Sequence, residues 1–365
     1  MKLDEITAYL ESLFPLDLQE SYDNSGLIIG SPFDEINKVL IALDITDEII
    51  EEALENKCEL IIAHHPLIFG KGITKLNTDS VNGGIIKKAI QNNISIYAIH
   101  TNLDNSLKGL NYYLASRIGL NNIKILSPED GILMKLVSFC PTDKAEEVRQ
   151  ALFAAGAGNI GNYDCCSFNI AGQGTFRGGE NTNPYVGEKG KLHFENEIRI
   201  ETIFPSFIQG RVVNALLRSH PYEEVAYDLY PLANRFSKAG SGIVGELNKE
   251  EDVLLFMNKL KEIFDIKIIR HSKIYKPTIK KVAICSGSGA FLINKAIAVD
   301  ADIFITADLK YHDFFNTEKK IIIADIGHYE SEIFVKDVLF ELLYEKFPNF
   351  AVLLSKLNSN PVYYF

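Results

Sequence analysis

The sequence predicts an α/β protein whose two α/β halves are interrupted by an α+β insert of ferredoxin-like order. Three observations support this fold class. The regions on either side of the centre alternate helices with short apolar strands, a pattern typical of parallel strands covered on both faces. The central region follows the order βαββαβ. A chain of 365 residues exceeds what one hydrophobic core usually holds, which favours two domains, one inserted into the other.

The first region, residues 1–127, begins with an amphipathic helix and continues with strands. Apolar residues recur at helical spacing from Leu3 to Leu13. A turn is predicted at residues 22–26, where Asp, Asn, Ser and Gly follow one another. The apolar runs that come next predict strands at Lys38–Leu43, Leu60–Ala63 and Ile94–Ile99.

The insert is predicted to span residues 128–235. Its elements, in order, are strand Leu133–Cys140, helix Lys144–Ala155, strand Cys166–Ala171, strand Glu197–Ile203, helix Ser206–Ser219 and strand Val225–Leu232. Glycines at 172, 174, 178 and 179 lie between two of these strands. Because a phosphate-binding loop leads from a strand into a helix, this passage is interpreted as a long hairpin connection.

The last region, residues 236–365, returns to the α/β pattern. Strands are predicted at Val282–Cys285, Ile303–Thr306 and Ile321–Ile326, with an edge strand at Phe350–Ser355. The sequence Ser286-Gly287-Ser288-Gly289 follows a strand and precedes a helical stretch. Its amides could hold an anion, or the segment could be a plain tight turn.

Charge and composition limit the classes of function. A formal net charge of -11 disfavours a general nucleic-acid groove, since phosphate binding normally needs a basic surface, although a local basic patch remains open. The first residues lack a basic-then-apolar signal pattern, and charges interrupt the long apolar stretches. We therefore predict a soluble cytoplasmic protein. The five cysteines lack zinc-knuckle spacing and are interpreted as structural thiols.

Polar residues interrupt the α/β halves at the ends of strands. His64 and His65 follow one predicted strand, and His100 and Asp104 follow the next. Open α/β sheets bind ligands beyond the carboxyl ends of their strands, so these residues are expected at one edge. The alternative is that His100 and one of His64 or His65 have a purely structural role.

A second pair of metal-capable residues follows the predicted strand Ile321–Ile326. His328 and Glu332 are four residues apart, so one turn of helix points both the same way, on the apolar face that continues to Val335 and Leu339. Imidazoles mixed with carboxylates suit Zn²⁺, Mn²⁺, Fe²⁺ or Co²⁺ better than Ca²⁺ or Mg²⁺. Five ligand candidates are more than one catalytic ion needs. The sequence therefore predicts two bridged divalent ions held by His64, His65, Asp104, His328 and Glu332.

In these residues the chain resembles a known family, the dinuclear-metal-centre proteins called GTP cyclohydrolase 1 type 2 homologues, or Nif-three-like proteins. The resemblance covers nearly the whole chain and implies the same five metal ligands. The central region resembles the PII-like or CutA-like insert of longer members, including His220-Pro221-Tyr222-Glu223. The motifs that carry the resemblance are Tyr22-Asp23-Asn24-Ser25-Gly26-Leu27, Ala63-His64-His65-Pro66, His100-Thr101-Asn102-Leu103-Asp104-Asn105, Thr306-Ala307-Asp308-Leu309-Lys310-Tyr311-His312 and Gly327-His328-Tyr329-Glu330-Ser331-Glu332.

The resemblance implies a hexameric toroid and suggests GTP ring opening as an activity. Independently of the resemblance, two divalent ions bound by two carboxylates would give the site a net positive charge. An anionic substrate such as a nucleotide is therefore expected. Asp308, Lys310 and His312 are candidates for orienting a ligand, contacting an anion and transferring a proton. They could equally form an ordinary polar helix start. The hypotheses are a metal-dependent hydrolase of nucleotides or phosphorylated compounds, a metal-binding regulatory or scaffold protein, and a nucleic-acid-associated ring.

Overall fold

The computed structural model describes residues 1–70, 72–315 and 319–363. The chain divides into two compact units. The first contains Met1–Ser127 and Lys238–Phe365, and the second contains Pro128–Ser237. None of the helices in the described ranges combines the length and apolar character that a membrane crossing requires.

Along the chain, the strands and helices of the first unit come before and after those of the second. The strands are β1 (Gly26–Ile29), β2 (Lys38–Ala42), β3 (Leu60–Ala63), β4 (Ser95–Ala98), β5 (Asn121–Glu129), β6 (Leu133–Pro141), β7 (Ser167–Arg177), β8 (Leu192–Pro205), β9 (Tyr227–Pro231), β10 (Phe236–Asp252), β11 (Arg270–His271), β12 (Thr278–Ser288), β13 (Ile303–Ala307), β14 (Ile322–Asp325) and β15 (Ala351–Leu354). The α-helices are α1 (Leu3–Leu13), α2 (Asp47–Glu55), α3 (Val81–Gln91), α4 (Thr101–Asp104), α5 (Leu110–Ile118), α6 (Ala145–Ala154), α7 (Gln209–Ser219), α8 (Val253–Ile263), α9 (Ile293–Ala298), α10 (His328–Glu332) and α11 (Val335–Lys346).

The first unit contains two sheets. One has the order β1-β4-β3-β2-β15, and the other has the order β11-β14-β13-β12-β10-β5. Strands β4, β3, β2 and β15 run parallel, as do β12, β13 and β14. Each half of the chain builds most of its own sheet, but β5 from the first region joins the second sheet. In return, β15 from the last region pairs with β2 from the first. It is the edge strand that the sequence predicted.

The buried side chains explain why these strands are so apolar. One core cluster contains residues from both sheets and from helices α1, α5, α8 and α11. The other face of the first sheet is covered by α2 and α3, and the other face of the second by the segment that contains α9. Strands β3, β4, β13 and β14 are therefore buried along their whole length, as expected for parallel strands covered on both faces.

The second unit confirms the ferredoxin-like prediction. Its sheet has the order β7-β8-β6-β9, with helices α6 and α7 on one face around a shared apolar core. The antiparallel pair β7 and β8 is longer than predicted, and Gly172 and Gly174 lie inside β7. Of the four glycines that were assigned to the connection, those at 178 and 179 belong to it. The predicted helix that begins at Ser206 starts with a 3₁₀ turn before α7.

Candidate metal centre

His64 and His65 lie directly after β3, where the parallel strands of the first sheet end. His64 is fully buried, and its Nδ1 donates a hydrogen bond to the carbonyl oxygen of Ile99 (2.8 Å). Its Nε2 has no hydrogen-bond partner and lies 3.6 Å from Oδ2 of Asp104. Burial lowers the pKa of His64 to about 3, so the imidazole is neutral and its free nitrogen can donate a lone pair to a metal.

His65 is held from one side by a carboxylate that sequence reasoning missed. Its Nδ1 donates to Oδ1 of Asp44 at 2.7 Å, and its Nε2 lies 2.9 Å from Oε2 of Glu332. Burial opposes a charge here, but the two carboxylates outweigh it and raise the pKa of His65 to about 10. Asp44 follows β2, so the strand-end rule that selected His64 would also have selected it.

His328 and Glu332 occupy the first and last positions of α10, which follows β14 of the second sheet. Nδ1 of His328 donates to Oδ2 of Asp308 (2.7 Å). Its Nε2 lies 2.9 Å from Oε2 of Glu332 and 3.4 Å from Nε2 of His65. Burial opposes a charge, but Glu332 and Asp308 raise the pKa of His328 to about 9. The same imidazoles outweigh burial and lower the pKa of Glu332.

The carboxylate of Glu332 lies at the centre of the cluster. Its Oε2 is within 2.9 Å of two Nε2 atoms, yet neither approach satisfies hydrogen-bond geometry, and the buried oxygen has no hydrogen-bond partner. Buried polar atoms are normally paired, because leaving one unpaired costs about 1–3 kcal/mol. A buried oxygen without a hydrogen-bond partner, next to two imidazole nitrogens that lie 3.4 Å apart, is arranged as a ligand group for a common cation.

His100 joins the cluster although the sequence left open whether it is structural. Its Nδ1 donates to Oδ1 of Asp23 at 2.8 Å, and its ring centroid lies 5.1 Å from that of His64 and 5.4 Å from that of His65. One ligand atom from each of these three histidines falls within 4.8 Å of the others. Asp23 belongs to a motif that carried the resemblance, but nothing in the sequence showed its contact with His100.

Asp104 completes the set at the end of α4. Its Oδ1 is buried without a hydrogen-bond partner. Burial and the charge of Glu332 raise the pKa of Asp104. A cation between the two carboxylates would remove that repulsion, so Asp104 has the environment of a ligand. The structure thus brings together all five predicted metal ligands, from the segment after β3 and from helices α4 and α10, which follow β4 and β14.

The histidines share one hydrogen-bond pattern. His64, His65, His100 and His328 each use Nδ1 for a carboxylate or a carbonyl oxygen. In metal sites such partners fix the tautomer and turn the other ring nitrogen toward the ion. Two groups of metal-capable residues overlap at His65, one with His64 and His100 and one with His328 and Glu332. The residues therefore fit a site for divalent transition-metal ions.

Of the two interpretations of residues 286–289, an anion site or a tight turn, the hydrogen bonds favour the turn. The amides of Ser286 and Gly287 already donate to Asn111 Oδ1 (2.7 Å) and Ser331 Oγ (2.9 Å). Gly287 has φ of +58°, and a Cβ built on it would lie 2.1 Å from Oε1 of Glu332. The glycine is thus needed because the Glu332 carboxylate occupies the space of a side chain.

The three candidates around residue 310 are placed differently from one another. Asp308 contacts His328 and has φ of +55°, an uncommon conformation for a residue other than glycine. Lys310 and His312 are exposed. The hydrogen bonds described for residues 1–70, 72–315 and 319–363 join neither side chain to the histidine cluster. Of the three, only Asp308 has a described contact with a metal-capable residue.

A cavity of about 400 Å³ borders the cluster. His65, Asp308 and His328 line it together with Arg270 and residues 360–362 near the C-terminus. The Arg270 guanidinium donates to Asp325 (3.1 Å) and to the carbonyl oxygen of Leu309 (2.9 Å). These two contacts fix its plane and leave other N–H groups free to donate.

Comparisons with known proteins agree across the whole chain. The family model Duf34/NIF3 (NGG1p interacting factor 3) matches residues 1–361. A GTP cyclohydrolase 1 type 2 homolog of Halalkalibacterium halodurans is 40% identical over 352 residues, which are 95% of this chain and 94% of the relative. A homolog of the same name from Staphylococcus epidermidis is 36% identical, with complete coverage of both chains.

Solved structures give the same answer for the fold. The structure of a Bacillus cereus protein related to NIF3 is similar with a TM-score of 0.85 and 38% identity, and the match covers 100% of this chain and 99% of that one. Staphylococcus aureus protein SA1388 matches with a TM-score of 0.78 and 30% identity at the same coverage.

Proposed function

The chain belongs to the Duf34/NIF3 family, and from that premise we propose a dinuclear metal-dependent hydrolase that acts on a nucleotide or related phosphorylated compound. The observation that carries the proposal is the convergence of unpaired donor atoms, namely His64 Nε2, Asp104 Oδ1 and Glu332 Oε2. When bound, divalent ions would supply an activated water near neutral pH and positive charge for an anion. Zn²⁺, Mn²⁺, Fe²⁺ and Co²⁺ all suit this donor set.

The bordering cavity supports an anionic substrate. Its 400 Å³ is within the range of small-molecule sites. Arg270 presents a fixed guanidinium on the same wall as His65 and His328, which suits a phosphate or carboxylate. The curated relatives carry GTP cyclohydrolase in their names, so GTP ring opening is the first reaction to test. Hydrolysis of a phosphoester is the second.

Residues of the chain orient the ligands and enclose the substrate. Asp44 and Asp308 hold the imidazoles of His65 and His328 by their Nδ1 atoms. Asn360 Nδ2 donates to Glu330 Oε1 (3.0 Å), which ties the C-terminal residues that line the cavity to α10. We propose Lys310 for anion contact and His312 for proton transfer.

A homohexamer is part of the proposal. Light scattering of the purified protein should give the mass of six chains. A stable monomer or dimer at working concentration would reject the toroid that the family resemblance implies.

A second function, a metal-binding regulatory or scaffold protein without turnover, is favoured by one observation. The insert contains its own cavity of about 600 Å³, which residues of the metal cluster do not line. A nucleic-acid-associated ring is a less favoured version, because the net charge is -11.

The test begins with apoprotein loaded separately with each of the four metals. Elemental analysis should find two ions per chain, and a panel of nucleotides and phosphoesters should include a substrate whose turnover stops with a chelator. His65→Ala should abolish turnover. Glu332→Gln should weaken both ions, whereas Glu330→Gln, on the same helix but outside the cluster, should leave them bound. Fully loaded wild-type protein that turns over nothing in the panel would favour the regulatory function.

A further inference from the structure

The insert cavity combines an apolar wall with a small number of placed polar groups. Its volume of about 600 Å³ falls within the range of sites for small organic ligands. Phe139, Phe176, Tyr185 and Tyr222 contribute aromatic surface, and Glu197 contributes a carboxylate. All of the lining lies within the second unit, so the cavity can be considered by itself.

Glycines in β7 create the space. Gly172 and Gly174 lie opposite Glu197 and Glu195 in the register of β7 with β8. A Cβ on Gly174 would be 2.1 Å from Oε2 of Glu197, whereas a Cβ on Gly172 would meet nothing within 4 Å. Glycine inside a strand costs stability, and it often marks a place where a ligand or another group comes close. Here one glycine accommodates the carboxylate and the other leaves the cavity open.

The carboxylate and one ring are held in place before any ligand arrives. Buried His220 donates from Nε2 to the carbonyl oxygen of Phe139 (2.9 Å), and its Nδ1 accepts from the amide of Tyr222 (3.2 Å). The Tyr222 hydroxyl in turn donates to Oε1 of Glu197 at 2.8 Å. This explains the sequence His220-Pro221-Tyr222-Glu223, which the metal centre does not use.

Three aromatic rings of the lining lie close together, and one of them, Tyr222, contacts this carboxylate directly. The centroid of Tyr222 is 6.0 Å from that of Phe176 and 6.3 Å from that of Tyr185. Glu223 accepts a hydrogen bond from the amide of Asn183 (2.8 Å), which ties the loop carrying Tyr185 to the rest of the cavity. Rings grouped around a carboxylate form the kind of cage that recognises organic ammonium groups.

The charges of the lining also favour a cation. Glu197, Glu223 and Glu224 face Arg177 and Arg199. Nε of Arg199 donates to Glu201 at 2.8 Å, and Lys135 also donates to that carboxylate (2.9 Å), so the lining itself holds three carboxylates against two guanidinium groups. The carboxylates are then in excess, and an anionic ligand would be repelled.

We propose that this cavity binds an organic cation, an ammonium group on an apolar body, with the ammonium against Glu197 and the body against Phe176 and Tyr222. The site is separate from the metal-dependent reaction and goes beyond the function proposed for it. It gives the insert a ligand of its own.

The test is calorimetric titration of the full chain with two matched probes, 2-phenylethylammonium and the uncharged 2-phenylethanol. The amine should bind about tenfold or more tightly than the alcohol, since a hydrogen bond to a charged group changes affinity by roughly 10- to 150-fold. Glu197→Gln retains an acceptor for Tyr222 and should reduce the amine's affinity to that of the alcohol. Glu195→Gln, on the same strand face but outside the lining, should change the affinity by less than about threefold.

A second variant tests the location without changing charge. Gly172→Leu projects a side chain into open cavity space and should prevent binding while the circular dichroism spectrum and thermal midpoint stay near wild type. The proposal is overturned if wild type gives no binding at about 10 mM amine, if the alcohol binds as well as the amine, or if Glu197→Gln and Gly172→Leu bind like wild type.

Discussion

Replacing the carboxylates that hold the imidazoles should weaken metal binding without removing any of the predicted ligands. Asp44→Asn and Asp308→Asn keep an oxygen that can accept from Nδ1 at the present distances of 2.7 Å, but they remove the charge. Outer-shell changes of this kind typically cost 10- to 100-fold in metal affinity, about 1.4–2.8 kcal/mol.

The structure ranks the two variants. The side chain of Asp308 is 48% exposed and that of Asp44 is 31% exposed, so solvent screens the Asp308 contact more strongly. We expect a loss of about tenfold for Asp308→Asn and a loss nearer to 100-fold for Asp44→Asn. Asp313→Asn is the control, because that carboxylate accepts the amide of Lys310 and, within the described residues, has no contact with the cluster.

The assay is competition for Zn²⁺ against a chromophoric chelator, with elemental analysis of the ions per chain. Circular dichroism before and after loading separates lost affinity from unfolding. If Asp44→Asn binds as tightly as wild type, or loses no more than Asp313→Asn, then the carboxylates do not support metal ligands and the cluster is a hydrogen-bonded histidine core.

Three further outcomes are expected. Gly287→Ala should reduce metal occupancy at least about tenfold in elemental analysis, because the methyl group would collide with Glu332; wild-type occupancy would show that the carboxylate can move away at little cost. His312→Ala should lower kcat while both ions stay bound, and loss of metal in this variant would place His312 among the ligands instead. Burial lowers the pKa of His220, so the insert should be most stable above the unfolded-state value of about 6.5 and lose stability as pH falls below it. Hydrogen exchange of residues 220–226 at pH 7.5 and pH 5.5 measures this, and His220→Gln should remove most of the difference.

Much of the fold could be predicted because buried parallel strands leave a clear sequence pattern. Strand Leu60–Ala63 and helix Leu3–Leu13 have the predicted bounds, and the apolar runs of the last region fall within one or two residues of β13, β14 and β15. The bounds of exposed strands were harder to predict. Strand β7 is longer than predicted because glycines interrupt its pattern, while its pairing with β8 keeps it extended.

The metal cluster could be predicted in part for a related reason. Residues at the carboxyl ends of parallel strands must meet, so His64, His65 and Asp104 were found from position alone. The hydrogen bond between Asp23 and Nδ1 of His100 could not be found this way. Asp23 and His100 are far apart in sequence, and their contact depends on how the segment before β1 folds back onto α4, which no local pattern encodes.

The cluster joins parts of the first unit that the insert separates in sequence. His64, His65, His100 and Asp104 precede the insert, and His328 and Glu332 follow it. Nε2 of His65 nevertheless lies 3.4 Å from Nε2 of His328. Such a site cannot exist in the unfolded chain, so metal bound to the folded unit must stabilise the packing of the two sheets by mass action. Ser359 donates to Asp44, which extends this linkage to the C-terminal segment beside the cavity. Removing the metal that we propose for this cluster should therefore loosen the wall of the neighbouring cavity as well as the joint between the sheets, which would couple access to that cavity to metal occupancy.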